Sequence, residues 1–335
     1  MSPNRRIIVG VDTHSATHCA AVIDRNSCLL GSDEFAASEG GYRRLLRWAR
    51  TFGRIDSVGV EGTGAYGAGL ARQLAGLDIE VLEVPRPDRR LRRNRGESDP
   101  IDAESAARAV LAGTATVAPM LAGGPIEAIR TLRIARSGAI KAKTTATNTL
   151  RAMIITAPEP LRAQLPAGGL PNNVIGACLC LRPDPAELHD PTEATKAALR
   201  RVAARAHALR EEIAVLDRQL SHLVVEVAPT VSATFAMGTD TTNALLVAIG
   251  DNPDRLRSEA AFARLCGVAP IPASSGKTNR HRLHRGGDRS AHRALHISVV
   301  VNMRYCESTR AYVERSTSEE LSKPEIIRCP KRYLV

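Results

Sequence analysis

The sequence predicts an α/β domain followed by an all-α remainder, and three observations carry that prediction. Near the N-terminus, short β-branched runs alternate with helical patterns, which builds a sheet of mixed direction with helices packed on it. From Leu199 to Val227 apolar residues recur at alternating steps of three and four, the seam of a central coiled coil. After residue 231 only the periodicity of short helices remains, as in a small helical C-terminal domain. The expected division is 1–115, 116–230 and 231–335, within the domain count that 335 residues allow.

The first strand is Ile7-Ile8-Val9-Gly10-Val11-Asp12, β-branched and without alternation, as in a strand buried on both faces. It ends on a carboxylate, and Thr13-His14-Ser15 leads into its hairpin partner, Cys19-Ala20-Ala21-Val22-Ile23-Asp24, so that a hairpin fills residues 5–35. Tyr42, Leu45, Leu46 and Ala49 mark a helix over 39–53. Residues 55–61 form a strand that again ends on a carboxylate, Glu61. Gly62-Thr63-Gly64-Ala65-Tyr66-Gly67 then opens a helix through Leu70 and Leu74, and 79–84 is a third strand, stopped by Pro85. Between residues 86 and 95 stand six arginines, Arg89, Arg90, Arg92, Arg93 and Arg95 among them, against the single acid Asp88. Arginines that dense repel one another unless an anion joins them, so phosphate contact is expected. Ser98-Asp99-Pro100-Ile101-Asp102 reads as a helix start, with proline in the first turn and both acids able to point the same way.

Gly123-Gly124-Pro125 breaks the chain, and a helix follows to about Ile155. It carries Arg130, Arg133, Arg136, Lys141 and Lys143, with no acid between Glu127 and Glu159. Residues 156–192 are rich in Pro and Gly and read as an irregular connector with room for short elements. The heptad seam comes next, and its partner is either the 126–155 helix or a second copy of the chain. Two short helices around Gly250-Asp251-Asn252-Pro253 suit a helix-hairpin-helix-like unit, although its first turn, 237–240, is a weak match. Ala273-Ser274-Ser275-Gly276-Lys277 is a loop, followed by a basic tract with Arg280, Arg282, Arg285 and Arg289 and then a helix over 291–303. The polar tail 316–335, with Pro324 and Pro330, is expected to be irregular and without a cap, as in a shortened chain.

Composition narrows the partners. Forty-six Lys+Arg against 35 Asp+Glu leave +11, which favours a polyanion, most often nucleic acid. Aromatics at 3% argue against a base-stacking platform. No long apolar run or signal peptide marks a membrane route, so the cytoplasm is the expected compartment. Seven dispersed cysteines without a CxxC fit reduced thiols and no structural zinc.

Three chemistries compete for the acidic motifs. The run 62–67 matches a dinucleotide fingerprint, with Glu80 and Glu83 further on. Against it, Glu61 would sit beside the pyrophosphate, and the arginine run stays unexplained. The opening strand and hairpin also resemble the first phosphate loop of actin-like ATPases and kinases, but no second phosphate loop follows. The third chemistry takes Asp12, Glu61, Asp99 and Asp102 together as hard oxygen ligands for Mg²⁺ or Mn²⁺ acting on a phosphodiester. Each acid alone serves equally well as a turn, cap or dipole residue; the four together carry the reading.

VGVDTHSATHCAAVID, VGVEGTGAYG and ESDPIDAESAARAV resemble the DEDD-type insertion-sequence transposases related to the Piv invertase, the IS110 family. FARLCGVAPIPASSGKTNRHRLHRGGDRSAHRAL is similar to that family's C-terminal transposase domain. The resemblance implies a RuvC-like, ribonuclease-H-like N-terminal domain, with Asp12, Glu61, Asp99 and Asp102 in the tetrad positions. It places a nucleophilic serine at Ser275, with Ser274 as the fallback if the loop register slips by one. It further implies donor and target DNA as substrates, a structured guide RNA, and a homo-oligomer, dimer or tetramer. The basic residues named above, Lys277 included, would hold phosphates. The rival from another class is a non-catalytic nucleic-acid-binding protein, a decayed copy.

Overall fold

All but the first residue of β1 (Arg6–Thr13) are buried, as expected of a strand covered on both faces. The computed structural model describes residues 5–77, 79–84, 98–120, 122–166, 171–276, 281–284 and 286–335. Around β1 lie β2 (Thr17–Asp24), β3 (Leu29–Ala36), β4 (Arg54–Glu61) and β5 (Glu80–Val84), in the order β3-β2-β1-β4-β5. The first three strands form an antiparallel meander; β4 pairs parallel to β1, and β5 parallel to β4. This is the mixed, ribonuclease-H-like sheet. The expected hairpin therefore gains a third strand, β3. It was hidden because most of it is exposed or half-buried at the sheet edge and only Phe35 is buried.

Helices α1 (Glu39–Arg50) and α2 (Ala68–Ala75) cover one face, where Val9, Val11, Val58 and Val60 meet Leu45, Leu46, Leu70 and Leu74. Helix α3 (Asp99–Leu111) covers the other face with Ala106, Ala107 and Val110 against Ile8 and Ile23. Glycine lets it lie close. A Cβ on Gly10 of β1 would stand 2.0 Å from the Ala103 carbonyl oxygen and 2.3 Å from the Ala107 nitrogen. At Gly59 of β4 it would meet Val110 Cγ2 at 2.7 Å and the Ala106 oxygen at 3.0 Å. Gly10 and Gly59 thus seat α3 across the two central parallel strands, with its N-terminal turn toward their C-terminal ends.

Among the described residues, the remaining α-helices and strands are α4 (Pro125–Ile155), α5 (Glu159–Arg162), α6 (Pro171–Leu179), α7 (Pro191–Val227), α8 (Pro229–Ala233), α9 (Thr239–Ile249), α10 (Glu259–Leu265), β6 (Pro270–Pro272), β7 (His281–Leu283), α11 (Arg289–Tyr305), α12 (Glu307–Ser318) and α13 (Lys323–Tyr333). Two units share them: residues 1–127, 246–292 and 322–335 form one, and 128–245 with 293–321 form the other. Among the described residues, no helix is long and apolar enough to cross a membrane.

In the first unit, Asp251 caps the start of α4. Its carboxylate accepts from the backbone N–H of Ile126 at 2.9 Å and from those of Gly124 and Glu127 at 3.2 Å each. These are donors that a helix start otherwise leaves without partners. Asp251→Ala is expected to cost about 1–2 kcal/mol, and Asp251→Asn clearly less, read as shifts of the denaturation midpoint. The tail corrects the expectation of an irregular end, for α13 is helical. Pro324 lies in its first turn, where a missing N–H costs nothing, and the Glu325 carboxylate accepts from the Ser322 N–H at 3.0 Å. Pro330 sits inside the helix, flanked by the buried Ile326 and Lys331.

In the second unit, α7 carries the heptad seam, with Leu199, Ala206, Ile213, Leu216 and Leu220 buried. Ala146, Leu150 and Ile154 of α4 share a core with Leu199, Ala203 and Ala206 of α7 and with Val174 and Ile175 of α6. Nearer the start of α4, Arg136 pairs with Asp217, nearer the end of α7. The two long helices therefore run antiparallel. The short helix α6 packs directly on the N-terminal half of the seam, and α4 of the same chain shares the core beneath it.

Candidate active site

Strand alternation places the first two acids. Val11 and Val60 belong to the core under α1 and α2, so the next residues, Asp12 and Glu61, turn to the face that α3 covers. Both are only 8% exposed. The two strand ends are tied together where the Thr13 hydroxyl donates to the Glu61 carbonyl at 2.8 Å. The chain then turns sharply through Gly62, whose φ of +69° is left-handed. Asp99 and Asp102 occupy the first turn of α3, where negative charge also suits the helix dipole.

His14 joins the cluster. Its Nε2 lies 3.1 Å from Asp12 Oδ2 and 3.4 Å from Asp99 Oδ1, and the three ligand atoms all stand within 4.8 Å of one another. The neighbouring thiol of Cys19, paired with Asp12 across the hairpin, is pushed up to about 11 by burial, with the charges of Asp99 and Asp12 adding to it. Cys19 is thus a protonated wall of the site at neutral pH. The other histidine of the hairpin, His18, faces away: it is buried, stacks on Tyr42 of α1, and burial holds its pKa below the usual value.

A divalent cation fits this donor set. Two donors side by side around an ion with bonds of about 2.1 Å stand about 3 Å apart, close to the separations of His14 from both carboxylates. A nearly buried carboxylate such as Asp12 also calls for a cation or a hydrogen-bond network. The sequence reading missed His14. The available signal was the Asp12-x-His14 spacing, since residues i and i+2 of an extended chain point to the same side.

Ser275 lies elsewhere in the first unit. Strands β6 and β7 pair antiparallel, Pro270 with Leu283 and Pro272 with His281, and Ser274-Ser275-Gly276 belongs to the segment joining them. Both serines are exposed, Gly276 has a φ of +56°, and a Cβ there would meet nothing within 4 Å.

The basic positions fare differently. Arg89, Arg90, Arg92, Arg93, Arg95, Lys277, Arg280 and Arg285 lie outside the described residues. Arg282 and Arg289 are exposed. On α4, Arg136 is held by Asp217 and by Asp240 at 3.1 Å, while Lys141 is exposed. Lys143 lines an open pocket of about 360 Å³ with Asn148, Arg151, Asn172 and Ile175, in which two cationic side chains stand over a mostly apolar surface. Arg130 and Arg133 stand on the same helix and also engage partners.

The matches to known families run in the same order along the chain. Residues 9–156 match a family model described as Transposase, of the DEDD IS110 type, and residues 229–314 match Transposase IS116/IS110/IS902 family. The chain belongs to this transposase family. No curated protein matches it. The first match spans the sheet, the Asp12–His14–Asp99 cluster and α4; the second contains the β6–β7 ribbon. The protein is thus an enzyme of DNA transposition, with DNA as its substrate, and the dinucleotide and ATPase readings of its glycine runs lapse. A DEDD-type transposase also points to a divalent metal at the carboxylate cluster.

Proposed function

We propose that this transposase cuts and rejoins DNA to mobilise an insertion sequence, using Asp12, Glu61, Asp99 and Asp102 as metal ligands and Ser275 as nucleophile. The observation that carries the reading is the meeting of Asp12, from β1, with Asp99, from α3, around one imidazole nitrogen. When bound, Mg²⁺ or Mn²⁺ supplies positive charge to the oxygens around the reacting phosphorus. The carboxylates hold that charge at the sheet end, and the α3 N-terminus adds its own positive dipole end. Ser275 Oγ attacks phosphorus as one P–O bond of the DNA breaks, leaving a phosphoserine ester and a free DNA hydroxyl. Attack on that ester by the hydroxyl of another strand rejoins DNA and returns the serine. The ester conserves the bond energy, so no nucleoside triphosphate is needed. The cluster and Ser275 come together in the assembled complex, a homo-oligomer, dimer or tetramer.

Sequence choice belongs to a structured guide RNA in this reading, with the protein contacting phosphates through its basic residues. The test combines protein, Mg²⁺ or Mn²⁺, element RNA, and donor and target DNA. Joined product is expected, and Asp12→Ala is expected to remove it. No joined product with any metal would instead favour a protein that only binds nucleic acid. Binding should also weaken steeply with salt, and Lys141→Glu with Lys143→Glu should flatten the slope of log K against log salt by about two units. A flat dependence in the unmodified protein would remove the phosphate assignment.

A further inference from the structure

We propose that His14 is itself a metal ligand of the Asp12–Asp99 centre, through Nε2, and that the centre therefore prefers Mn²⁺ to Mg²⁺. This rests on the reading of the carboxylates as metal ligands and goes beyond it in both ligand set and ion.

The geometry has two parts. Nε2 is near both carboxylates at once, at hydrogen-bond distance (3.1 Å) from Asp12 Oδ2 and 3.4 Å from Asp99 Oδ1, so one imidazole nitrogen faces the space the two carboxylates share, at spacings that neighbouring donors around a single ion also have. The ring is also anchored from its own backbone: the His14 N–H donates to the Thr17 carbonyl at 3.0 Å, closing the β1–β2 turn. The imidazole is thereby carried on a tight turn beside Asp12 rather than on a loose arm. Its side chain is 51% exposed and that of Asp99 55%, so an ion can reach the donors from solvent without a rearrangement of the core.

The chemistry decides the ion. Four carboxylates alone make an all-oxygen site, which suits hard Mg²⁺. Mg²⁺ gains little from imidazole, whereas first-row transition ions accept imidazole nitrogen readily. Replacing one oxygen by Nε2 moves selectivity toward Mn²⁺, an ion that keeps its affinity for the remaining carboxylates.

The rival account makes His14 a protonated counter-ion that merely neutralises Asp12 and Asp99. The two accounts predict opposite signs. A counter-ion competes with the metal, so His14→Ala would tighten binding; a ligand contributes to it, so His14→Ala would weaken it.

The experiment binds Mn²⁺ to the full chain and looks for hyperfine coupling to ¹⁴N by pulsed electron paramagnetic resonance. It also titrates Mn²⁺ and Mg²⁺ calorimetrically. The expected results are ¹⁴N coupling in the unmodified protein and its loss in His14→Ala and His14→Asn. Mn²⁺ affinity should fall by about tenfold or more, the size of loss seen even when only a ligand's support is removed, and Mg²⁺ affinity by much less. Asp12-dependent Mn²⁺ binding without nitrogen coupling would overturn the proposal while leaving the carboxylate centre intact. Tighter binding in His14→Ala would do the same. Mn²⁺ binding that ignores Asp12→Ala would overturn the centre and the proposal together. The coupling is read on the unmodified protein, so a poorly folding variant leaves the test standing.

Discussion

Gly10→Ala is expected to lower the unfolding midpoint sharply and to remove nearly all strand-joining activity, although the change adds one methyl group. That methyl would stand 2.0 Å from the Ala103 carbonyl oxygen and 2.3 Å from the Ala107 nitrogen. Both are backbone atoms of α3, and no side-chain rotation relieves them. The helix has to lift off β1, and overpacking of this kind costs about 1–3 kcal/mol, sometimes more. Lifting α3 also carries Asp99 away from Asp12 and His14, and misplacement by about 1 Å can cost about 10²-fold in rate. Stability and chemistry should therefore fail together. The control is Gly138→Ala in α4, where a Cβ meets nothing within 4 Å. It is expected to gain about 0.5–1 kcal/mol from the better helix former. Equal melting of Gly10→Ala and the parent would mean that α3 is not seated on β1 as described.

The strands β1, β2 and β4 were legible because each is a β-branched or small apolar run, and the two buried carboxylates were legible because they end such runs. What surrounds them was not. The close seat of α3 depends on Gly10 and Gly59 facing Ala103, Ala106 and Ala107 across the sheet, a long-range match that no local pattern announces. His14 was absorbed into the hairpin turn, so its position two residues from Asp12 went unused. In α7 alternating steps of three and four from Leu199 fall on Val202 and Leu223, whereas Ala203 and Val224 are the more deeply buried. An α-helix at 3.6 residues per turn drifts against a strict heptad, which shifts burial to the adjacent position. The tail misled because Pro324 and Pro330 read as breakers, while a proline in the first turn is compatible with helix.

Ser275→Ala is expected to abolish the covalent protein–DNA adduct and to cut strand joining by about 10⁴-fold or more, the order reached when an enzyme loses its nucleophile. RNA and DNA binding should persist, because the serine is one small exposed side chain on the segment between β6 and β7. A serine hydroxyl is a weak nucleophile at neutral pH and needs a base or metal, together with charge stabilisation of the phosphorane. No carboxylate stands in the segment 273–280; Lys277, Arg280 and His281 follow Ser275 in the sequence and suit the anion rather than the proton. In the proposed chemistry activation comes from the Asp12–Asp99 centre, so Asp12→Ala should also remove the adduct while sparing binding. The reaction is stopped with detergent under trapping conditions and the protein examined for attached DNA. An adduct that survives Ser275→Ala but disappears in Ser274→Ala moves the role by one residue. If the unmodified protein joins strands yet never carries DNA, serine chemistry is excluded. The attacking oxygen would then belong to water or to a DNA hydroxyl, with the carboxylate centre acting as in a two-metal nuclease.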